Sequence, residues 1–460
     1  MLRLRMAAGV VTKDKLNFVV HIIEKYHVSK ISFTTRQSIQ IYGIEDDDAE
    51  AILQEALEAG INTFGAGKES PRNVMCAPLS GVEKGEYLNV KPYALCASDF
   101  LSDLKVEGKM PRRLKACFSN SPSTKIHAIY SDLGFVANPN GKFDVYSAGG
   151  LGKDPSMGVL VKEDVEPEDI LYHLLAMWMT FKAYADPVNP IKAKTRYMPK
   201  SLGIDKYKEI YLERLEGLSI LDLKVKVEEE KIQKQGDGSI AHRFVHEQKQ
   251  EGLYYVEYHP IGGVPDIDTI IALNKAISQM DEVEIRLAPD ETAYIINLTA
   301  QEAYRILDII HENQAKSLFE ASISCRGVKK CRLGIMDSAG MLSQCIKEIS
   351  KEHFAYNTLP QIHISGCISS CGTHQTGYMG LRGSAQSYNG KLIKGYILCI
   401  GNKENAGIEL GMLLEEDVIP FLKELGHRIY DTSLSFEEWI VDHYEEFEML
   451  FYKYNQRIFE

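Results

Sequence analysis

Several features that define common protein classes are missing from this 460-residue sequence. No run of 18 uncharged apolar residues occurs, so a membrane-spanning helix is not expected. The first residues carry charges throughout and lack an apolar segment with a small-residue cleavage site, so a secretory leader is not expected either. Basic residues are fewer than acidic ones, 52 against 64, which argues against nonspecific nucleic-acid binding. We therefore predict a cytoplasmic protein with no nucleic-acid or membrane partner.

Cysteine is too sparse for a secreted disulfide scaffold, and its count of nine is odd. The apolar fraction of 45% and the charged fraction of 25% are ordinary for globular proteins. At about 100–200 residues per domain, the length predicts two to four domains. The chain also has no Rossmann-type glycine fingerprint and no recognisable flavin segment, so electrons for any redox chemistry would come from another protein.

Internal similarity divides the chain into two tandem halves. A shift of 254 residues places Leu4–Gly43 on Tyr258–Asn297 without a gap, and both copies have the pattern strand, helix, strand, strand, helix. A shift of 246 residues then pairs Leu133-Gly134-Phe135 with Met379-Gly380-Leu381. We predict an α+β fold in which each half is a small α+β unit followed by a larger α/β unit, related by pseudo-two-fold symmetry.

Four of the cysteines form two spaced pairs in glycine-, serine- and lysine-rich loops. Cys325 and Cys331 have five residues between them, and Cys367 and Cys371 have three. The pattern suits a [4Fe–4S] cluster, while a zinc site, which normally has two to four residues between paired ligands, and purely structural thiols stay open as alternatives. At the shift of 246, the positions of Cys367 and Cys371 hold a serine and a lysine, so only the second half has these ligands. The other five cysteines, expected to be buried packing residues, are Cys76, Cys96, Cys117, Cys345 and Cys399.

The two cysteine pairs resemble the motif of the sirohaem/[4Fe–4S] sulfite and nitrite reductases. Other segments are similar to that family in the same order along the chain. These segments are SFTTRQSIQIYGI, SPRNVMCAPLSG, KMPRRLKACFS, SDLGFVANPNGKFDVYSAGGLG, KAKTRYMPKSLG and EIRLAPDETAYIINL. The resemblance implies ferredoxin-like half-domains at 1–65 and 253–318. It implies larger sirohaem/Fe–S lobes at 66–224 and 319–460, with a charged linker at 225–252.

The resemblance also implies the cofactors and the residues that bind them. Sirohaem would lie between the halves, and Cys371 would link its iron to the [4Fe–4S] cluster. The implied cluster ligands are Cys325, Cys331, Cys367 and Cys371. The implied sirohaem-binding residues are Arg72, Asn73, Arg112, Gly149, Gly150, Lys192, Lys194, Arg196 and Cys371.

The implied substrate-side residues are Arg36, Arg113, Lys115 and Lys91. Arginine stays protonated and presents a fork that grips oxoanions, whereas burial can lower the pKa of lysine until it releases a proton. We therefore expect Arg36 and Arg113 to hold the anion and Lys115 to donate protons. Relatives usually have two lysines in this segment, and Arg113 takes the place of one of them. The proton supply of this chain is therefore expected to differ from the family pattern.

The implied reaction is the six-electron reduction of a small oxoanion. Lys115 favours sulfite to sulfide, because relatives that prefer nitrite tend to have asparagine there; nitrite to ammonia is also possible. The electron donor would be ferredoxin or a flavoprotein subunit. The alternative from another class is a non-catalytic [4Fe–4S] protein that transfers electrons or uses the cluster structurally.

Overall fold

The structure, a computed structural model, describes residues 1–63, 70–104, 110–189, 191–228, 230–388, 390–401 and 404–456. The predicted boundary between residues 65 and 66 lies outside these residues. The strands are β1 Leu2–Leu4, β2 Val10–Val11, β3 Lys30–Phe33, β4 Ile39–Tyr42, β5 Met75–Cys76, β6 Ala116–Ser119, β7 Leu133–Ala137, β8 Phe143–Ser147, β9 Val159–Val165, β10 Val245–Glu247, β11 Tyr254–Tyr258, β12 Glu284–Leu287, β13 Ala293–Leu298, β14 Ile323–Ser324, β15 Ile362–Ser365, β16 Met379–Tyr388, β17 Lys391–Ile400 and β18 Ile408–Leu414. The helices are α1 Lys13–Lys25, α2 Asp46–Glu58, α3 Lys91–Leu104, α4 Lys125–Ile129, α5 Ile170–Tyr184, α6 Met198–Leu202, α7 Ile204–Gly217, α8 Ile267–Ile277, α9 Ala300–Ile310, α10 Ser338–Ile349, α11 Val418–Tyr430, α12 Phe436–Asp442 and α13 Tyr444–Asn455.

The chain folds into two compact units. The first unit contains residues 1–150, 155–258 and 264–313, and the second contains residues 151–154, 259–263 and 314–460. The first unit contains the predicted half-domain 1–65, most of the predicted half-domain 253–318 and most of the first lobe, whereas the second lobe makes up most of the second unit.

The two half-domains repeat one another element by element. The shift of 254 residues carries β3 onto β12 from end to end, and it carries α1 onto α8 and β4 into β13. Both α1 and α8 have apolar residues at helical spacing, and at the start of α1 the Thr12 side chain accepts a hydrogen bond from the Lys15 amide at 3.4 Å. The first copy has the sheet order β1-β4-β3, and the second has β10-β11-β13-β12-β2. Since β2 of the first copy pairs with β12 of the second, the two copies share one apolar core.

The two larger lobes also repeat a single topology. The first has the sheet order β5-β6-β7-β8-β9 and the second β14-β15-β16-β17-β18. In each sheet the first two pairings are parallel and the last two are antiparallel. The shift of 246 residues carries β6 onto β15 from end to end and β7 into β16. These repetitions confirm the predicted α+β class and the tandem duplication.

The segment predicted to be a charged linker, 225–252, is only partly irregular. Its strand β10 pairs antiparallel with β11, and Val245 is buried in the core of the half-domains. The Gln248 side chain donates to Asn297 Oδ1 at 2.9 Å. The polar composition of the segment gave no sign of this strand. A three-residue edge strand needs only one buried apolar side chain, so it leaves no apolar pattern in the sequence. Among the described residues, no helix is long and apolar enough to cross a bilayer.

Candidate functional site

Arg36 lies in the tight turn between β3 and β4, and this turn is fixed by its neighbours. The Thr34 hydroxyl accepts hydrogen bonds from the amides of Arg36 at 3.3 Å and Ser38 at 3.2 Å. Gln37 adopts a left-handed φ of 50°, and its buried amide donates to the carbonyls of Cys76 and Leu287 at 2.7 Å each. The turn is therefore held rigidly while the Arg36 side chain projects from it.

Asn73 joins this turn to the first lobe. Its side-chain amide donates to the carbonyls of Arg36 at 2.9 Å, Gln37 at 3.1 Å and Met6 at 2.7 Å. The Arg36 guanidinium in turn donates to the Asn73 carbonyl at 2.6 Å. Asn73, predicted to bind cofactor, thus has a second role, because it sets the direction of Arg36. The Asn73 carbonyl satisfies one guanidinium nitrogen, while Arg36 Nε has no hydrogen-bond partner among the described residues.

Lys115 and Asp132 form a coupled pair at one edge of the first lobe's sheet. Lys115 precedes β6 and Asp132 precedes β7, and these strands are parallel neighbours. The Lys115 amide donates to the Asp132 carboxylate at 2.8 Å, and the buried Thr195 hydroxyl donates to the other carboxylate oxygen. Burial lowers the pKa of the Lys115 ammonium to about 8. The negative charge of Asp132 raises this pKa, and the positive charge of Arg36 and other nearby cations lowers it.

Arg72 belongs to the same cationic group, although the sequence placed it with the cofactor-binding residues. Its amide donates to the Leu114 carbonyl at 2.8 Å, so the segment containing Arg72 lies beside the one containing Arg113 and Lys115. Burial lowers the pKa of Arg72 to about 9, and the charges of Arg113 and Arg36 lower it further. The structure therefore brings Arg36, Arg72, Arg113 and Lys115 together in the first unit.

Arg196 and Gly150, both predicted to bind sirohaem, lie next to each other beside this group. Arg196 is buried in a turn before α6, and its positive charge contributes to the lowered pKa of Lys115. A Cβ atom on Gly150 would lie 3.2 Å from Arg196 Nη1, and one on Gly149 would lie 2.4 Å from the Ile129 carbonyl oxygen. The two glycines therefore allow the backbone to run tightly against the arginine and against the end of α4.

The buried guanidinium groups have donors that the protein leaves unsatisfied. No described residue accepts a hydrogen bond from Arg36 Nε, Arg72 Nη1, Arg196 Nε or Arg196 Nη2. Buried donors normally have partners, and buried cations normally face anions. The donor set therefore fits anionic ligands, both a small oxoanion and the carboxylates of sirohaem.

Of four other predicted residues, one is paired with carboxylates and three are exposed or partly exposed. Lys91, at the start of α3, pairs with Glu230 at 2.5 Å and Glu284 at 3.6 Å. Lys192 is exposed, and Arg112 and Lys194 are partly exposed. Glu284 and Glu230 already neutralise Lys91, which makes Lys91 a weaker anion ligand than Arg72.

Arg5 and Asp132 lie near this group as well, although no sequence motif indicated them. Arg5 follows β1 and is buried; it donates to Ser98 Oγ at 3.3 Å, and burial lowers its pKa to about 10. An available signal was the run MLRLR, in which arginines alternate with leucines in a strand that must be buried. Asp132 had no such signal, because its role depends on the neighbouring strand.

The second half-domain has the opposite charge at the matching positions. A shift of 254 residues carries Arg36 onto Asp290 and Arg3 onto Glu257. Burial raises the pKa of Glu257 to about 7, and the charge of Asp290 raises it further. Positive charge at these two positions is therefore confined to the first copy.

The four predicted cluster ligands lie in two loops of the second unit. Cys325 directly follows β14 and Cys367 follows β15 after one glycine, and β14 and β15 are parallel neighbours, so both loops leave the same edge of the sheet. The Cys325 sulfur accepts a hydrogen bond from the Gly366 amide at 3.1 Å. Cys331 is partly exposed, and Cys371 is exposed at its loop.

The four sulfur atoms are not gathered closely enough for a single zinc ion. No disulfide joins the nine cysteines, all of which the structure describes. No three of the four sulfur atoms lie within 4.8 Å of one another. A tetrahedral zinc site with bonds of about 2.3 Å needs sulfurs only about 4 Å apart, whereas an iron–sulfur cube takes wider ligands. The donor chemistry therefore fits a [4Fe–4S] cluster held by Cys325, Cys331, Cys367 and Cys371.

Gln375 is a further residue that the sequence did not reveal. Its amide donates to the Gly152 carbonyl at 3.0 Å and accepts from the Gly152 amide at 2.8 Å. Gly152 ends the glycine-rich loop predicted from the sequence, and Gln375 follows the second cysteine pair. The contact could not be predicted because the two segments are far apart in the sequence.

Comparison with known proteins gives matches over most of the chain. Residues 1–59 match the nitrite/sulfite reductase ferredoxin-like half domain, and residues 67–217 match the nitrite and sulphite reductase 4Fe-4S domain. The ferredoxin–nitrite reductase of Betula pendula is 25% identical over 91% of this chain and 73% of its own length. The ferredoxin–nitrite reductase of Leptolyngbya laminosa is 23% identical over 92% and 85%. The hemoprotein beta-component of the NADPH sulfite reductase of Bacillus licheniformis is 24% identical over 92% and 80%.

A solved structure shows the same fold. The Mycobacterium tuberculosis NirA protein superposes with a TM-score of 0.76 at 18% identity, over 96% of this chain and 83% of that chain. The fold, the matched family models and the donor chemistry of the cationic and cysteine groups agree. Sirohaem and a [4Fe–4S] cluster are the cofactors of the family to which these matches lead. Together these matches support assignment of the chain to the nitrite and sulphite reductase family of oxidoreductases.

Proposed function

We propose that this protein catalyses the six-electron reduction of a small oxoanion, with nitrite to ammonia as its principal reaction. The observation that carries the proposal is Lys115, whose pKa is lowered to about 8 within a group of buried guanidiniums that have unsatisfied donors. An anion would satisfy those donors, and the adjacent ammonium has the acidity needed to protonate the anion at neutral pH.

The protein's own residues bind the anion and supply protons. Arg36 and Arg72 would each place an unsatisfied guanidinium nitrogen on the anion, and Arg113 would add positive charge from a more exposed position. Lys115 would release its ammonium proton as an N–O or S–O bond breaks. Asp132 stabilises the charged form of Lys115, so the lysine regains a proton between steps.

The cofactor-binding residues fall into two groups. Arg196 and Gly150, in the first unit, would hold sirohaem carboxylates, and the four cysteines would hold the cluster, with Cys371 as the proposed thiolate link to the sirohaem iron. When bound, these two cofactors would supply electrons one at a time. The remaining chemistry, which is orientation and protonation, belongs to the side chains of the cationic group.

The choice of nitrite rests on the relatives, and a second candidate rests on one residue. Two of the relatives named above are ferredoxin–nitrite reductases. The preference for sulfite predicted from Lys115 draws support from the sulfite reductase component of Bacillus licheniformis. Sulfite therefore stands as the second candidate substrate.

The names of the nitrite reductases also favour ferredoxin as the electron donor, ahead of a flavoprotein subunit. The cytoplasmic location predicted from the sequence stays a prediction.

The test starts with an absorption spectrum of the anaerobically purified protein. Sirohaem bands together with cluster iron and sulfide are expected, and a cluster-replete sample without sirohaem would instead indicate a non-catalytic electron-transfer or structural protein. Turnover of nitrite and sulfite is then measured with an artificial reductant and with reduced ferredoxin. A higher kcat/KM for nitrite supports the principal reaction, and a higher value for sulfite supports the second candidate. A Lys115→Asn variant, in which the residue that marks nitrite-preferring relatives is introduced, should shift the ratio of the two values towards nitrite.

A further inference from the structure

Three side chains with metal-ligating atoms converge on the sheet of the second unit, apart from the four cluster cysteines. His374, Cys399 and Glu409 place a ring nitrogen, the thiol sulfur and a carboxylate oxygen within 4.8 Å of one another. His374 and Cys399 are buried, and the Glu409 side chain is 45% exposed. A buried nitrogen and sulfur with one half-exposed oxygen make a site that a metal ion from solvent could reach.

The sheet register creates this convergence. Gly380 on β16, Cys399 on β17 and Glu409 on β18 are directly paired across the three strands, so they share one face of the sheet. A Cβ atom on Gly380 would lie 1.8 Å from the His374 carbonyl oxygen. Only glycine therefore permits the loop carrying His374 to rest on this row, beside Cys399 and Glu409.

His374 has no hydrogen-bond partner in the described structure. Its side chain is 1% exposed, yet neither Nδ1 nor Nε2 is hydrogen-bonded there. A neutral imidazole offers a nitrogen lone pair to a metal ion, and this ring lies beside the Cys399 sulfur and a Glu409 oxygen. A buried imidazole with two unsatisfied nitrogens is unfavourable unless a ligand occupies the space beside it.

Arg382 supports the carboxylate of this group. Its Nε and Nη2 donate to the two Glu409 oxygens at 2.6 and 2.7 Å. A carboxylate has about four lone-pair positions, so Glu409 can accept both hydrogen bonds and still bind a metal. Hydrogen bonds of this kind usually orient the carboxylate ligands of metal ions.

We propose that His374, Cys399 and Glu409 bind one divalent metal ion of the zinc class, with a water molecule as a fourth ligand. Nitrogen, thiolate and carboxylate ligands together suit zinc better than magnesium or calcium, which take oxygen ligands. The thiolate and carboxylate neutralise the two charges of the ion, and Arg382 remains paired with Glu409. His374 follows Cys371 by three positions, so the ion would fasten the loop that carries Cys371 to strands β17 and β18.

The test measures zinc in the full-length protein loaded with its cofactors. The protein is treated with a weak chelator that leaves the iron content unchanged, then titrated with zinc salt, and zinc and iron are quantified by mass spectrometry. Zinc-edge X-ray absorption should show one sulfur at about 2.3 Å and nitrogen or oxygen neighbours at about 2.0–2.1 Å. Because the measurement is specific for zinc, iron in the cofactors does not disturb it.

Variants then assign the ligands. His374→Gln and Cys399→Ser should each weaken zinc binding by about 100-fold or more, and Arg382→Gln by about 10–100-fold, because it removes the support of a ligand. Cys345→Ser is the matched control, since Cys345 is another fully buried cysteine, near Met341, and should leave zinc binding unchanged. Glu409→Gln removes a charged ligand at a half-exposed position and should weaken zinc binding by about 100-fold, even if the buried variants fail to fold.

Three results would overturn the proposal. The first is wild-type protein that binds no zinc after titration, and the second is zinc binding that is equal in the wild type, Glu409→Gln and Arg382→Gln. The third is a zinc environment of four sulfurs, which would show that the ion had entered the cluster cysteines. Reductase activity plays no part in these outcomes, so the proposed function can fail or succeed independently.

Discussion

A pH dependence set by Lys115 offers the sharpest test of the proposed proton supply. The pKa of Lys115 is lowered from 10.5 to about 8, chiefly by burial. Only the protonated form can act as an acid, so activity should be full below pH 8 and fall as the pH rises through it. The lowered pKa corresponds to roughly 3 kcal/mol in favour of the neutral form, at 1.36 kcal/mol per pH unit. About nine-tenths of Lys115 should be protonated at pH 7 and about one-tenth at pH 9.

The assay is the pH profile of kcat/KM for nitrite with an artificial reductant, between pH 6 and 10. The wild type should show an alkaline limb with an apparent pKa near 8. Lys115→Met should lower kcat by about 10²–10⁴-fold, which is the usual contribution of a general acid. Lys115→Arg keeps the positive charge but cannot release a proton, so KM should change little while kcat falls and the limb near pH 8 disappears.

Asp132 provides an independent shift of the same limb. Its carboxylate raises the pKa of Lys115, so Asp132→Asn should move the alkaline limb to lower pH, by about one unit. Asp205→Asn, at an exposed position at the start of α7, is the control and should leave the profile unchanged. Full activity in Lys115→Met, or a limb near pH 8 that persists in Lys115→Arg, would refute the assignment of Lys115 as the proton donor.

Three further predictions concern anion and cofactor binding. Arg72→Met should raise KM for nitrite about tenfold or more, because it removes an unsatisfied buried donor. Lys91→Met should change KM by less than about twofold, since carboxylates already neutralise Lys91. Equal effects of the two substitutions on KM would place Lys91 in the site. Gly150→Val should displace Arg196 and reduce the sirohaem content of the purified protein, measured from absorption spectra. The melting temperature, measured in thermal scans, should fall by no more than about 4 °C. An unchanged sirohaem content would contradict a role of the Gly150–Arg196 contact in sirohaem binding. Cys371→Ser should reduce cluster iron and nitrite turnover together, and a fully active variant would exclude Cys371 as the link.

The sequence was sufficient to predict the duplication. Gapless shifts of 254 and 246 residues correspond to strands and helices that repeat in the structure, because helices and strands follow local apolar spacing that survives in both copies. The four-cysteine spacing likewise predicted two loops that carry thiols. The positions of Arg36, Arg113 and Lys115 came from motifs that are short and continuous, and such motifs are readable without a fold.

Only the tertiary structure showed which cations act together and which are neutralised. Arg72 joins the substrate-side group because the segments around Arg72 and Leu114 run side by side, whereas Lys91 is paired with acidic residues distant in the sequence. The lowered pKa of Lys115 depends on burial and on Asp132, which a neighbouring strand supplies. Charge and residue type are properties of the sequence, but desolvation and pairing depend on neighbours that only folding brings into contact.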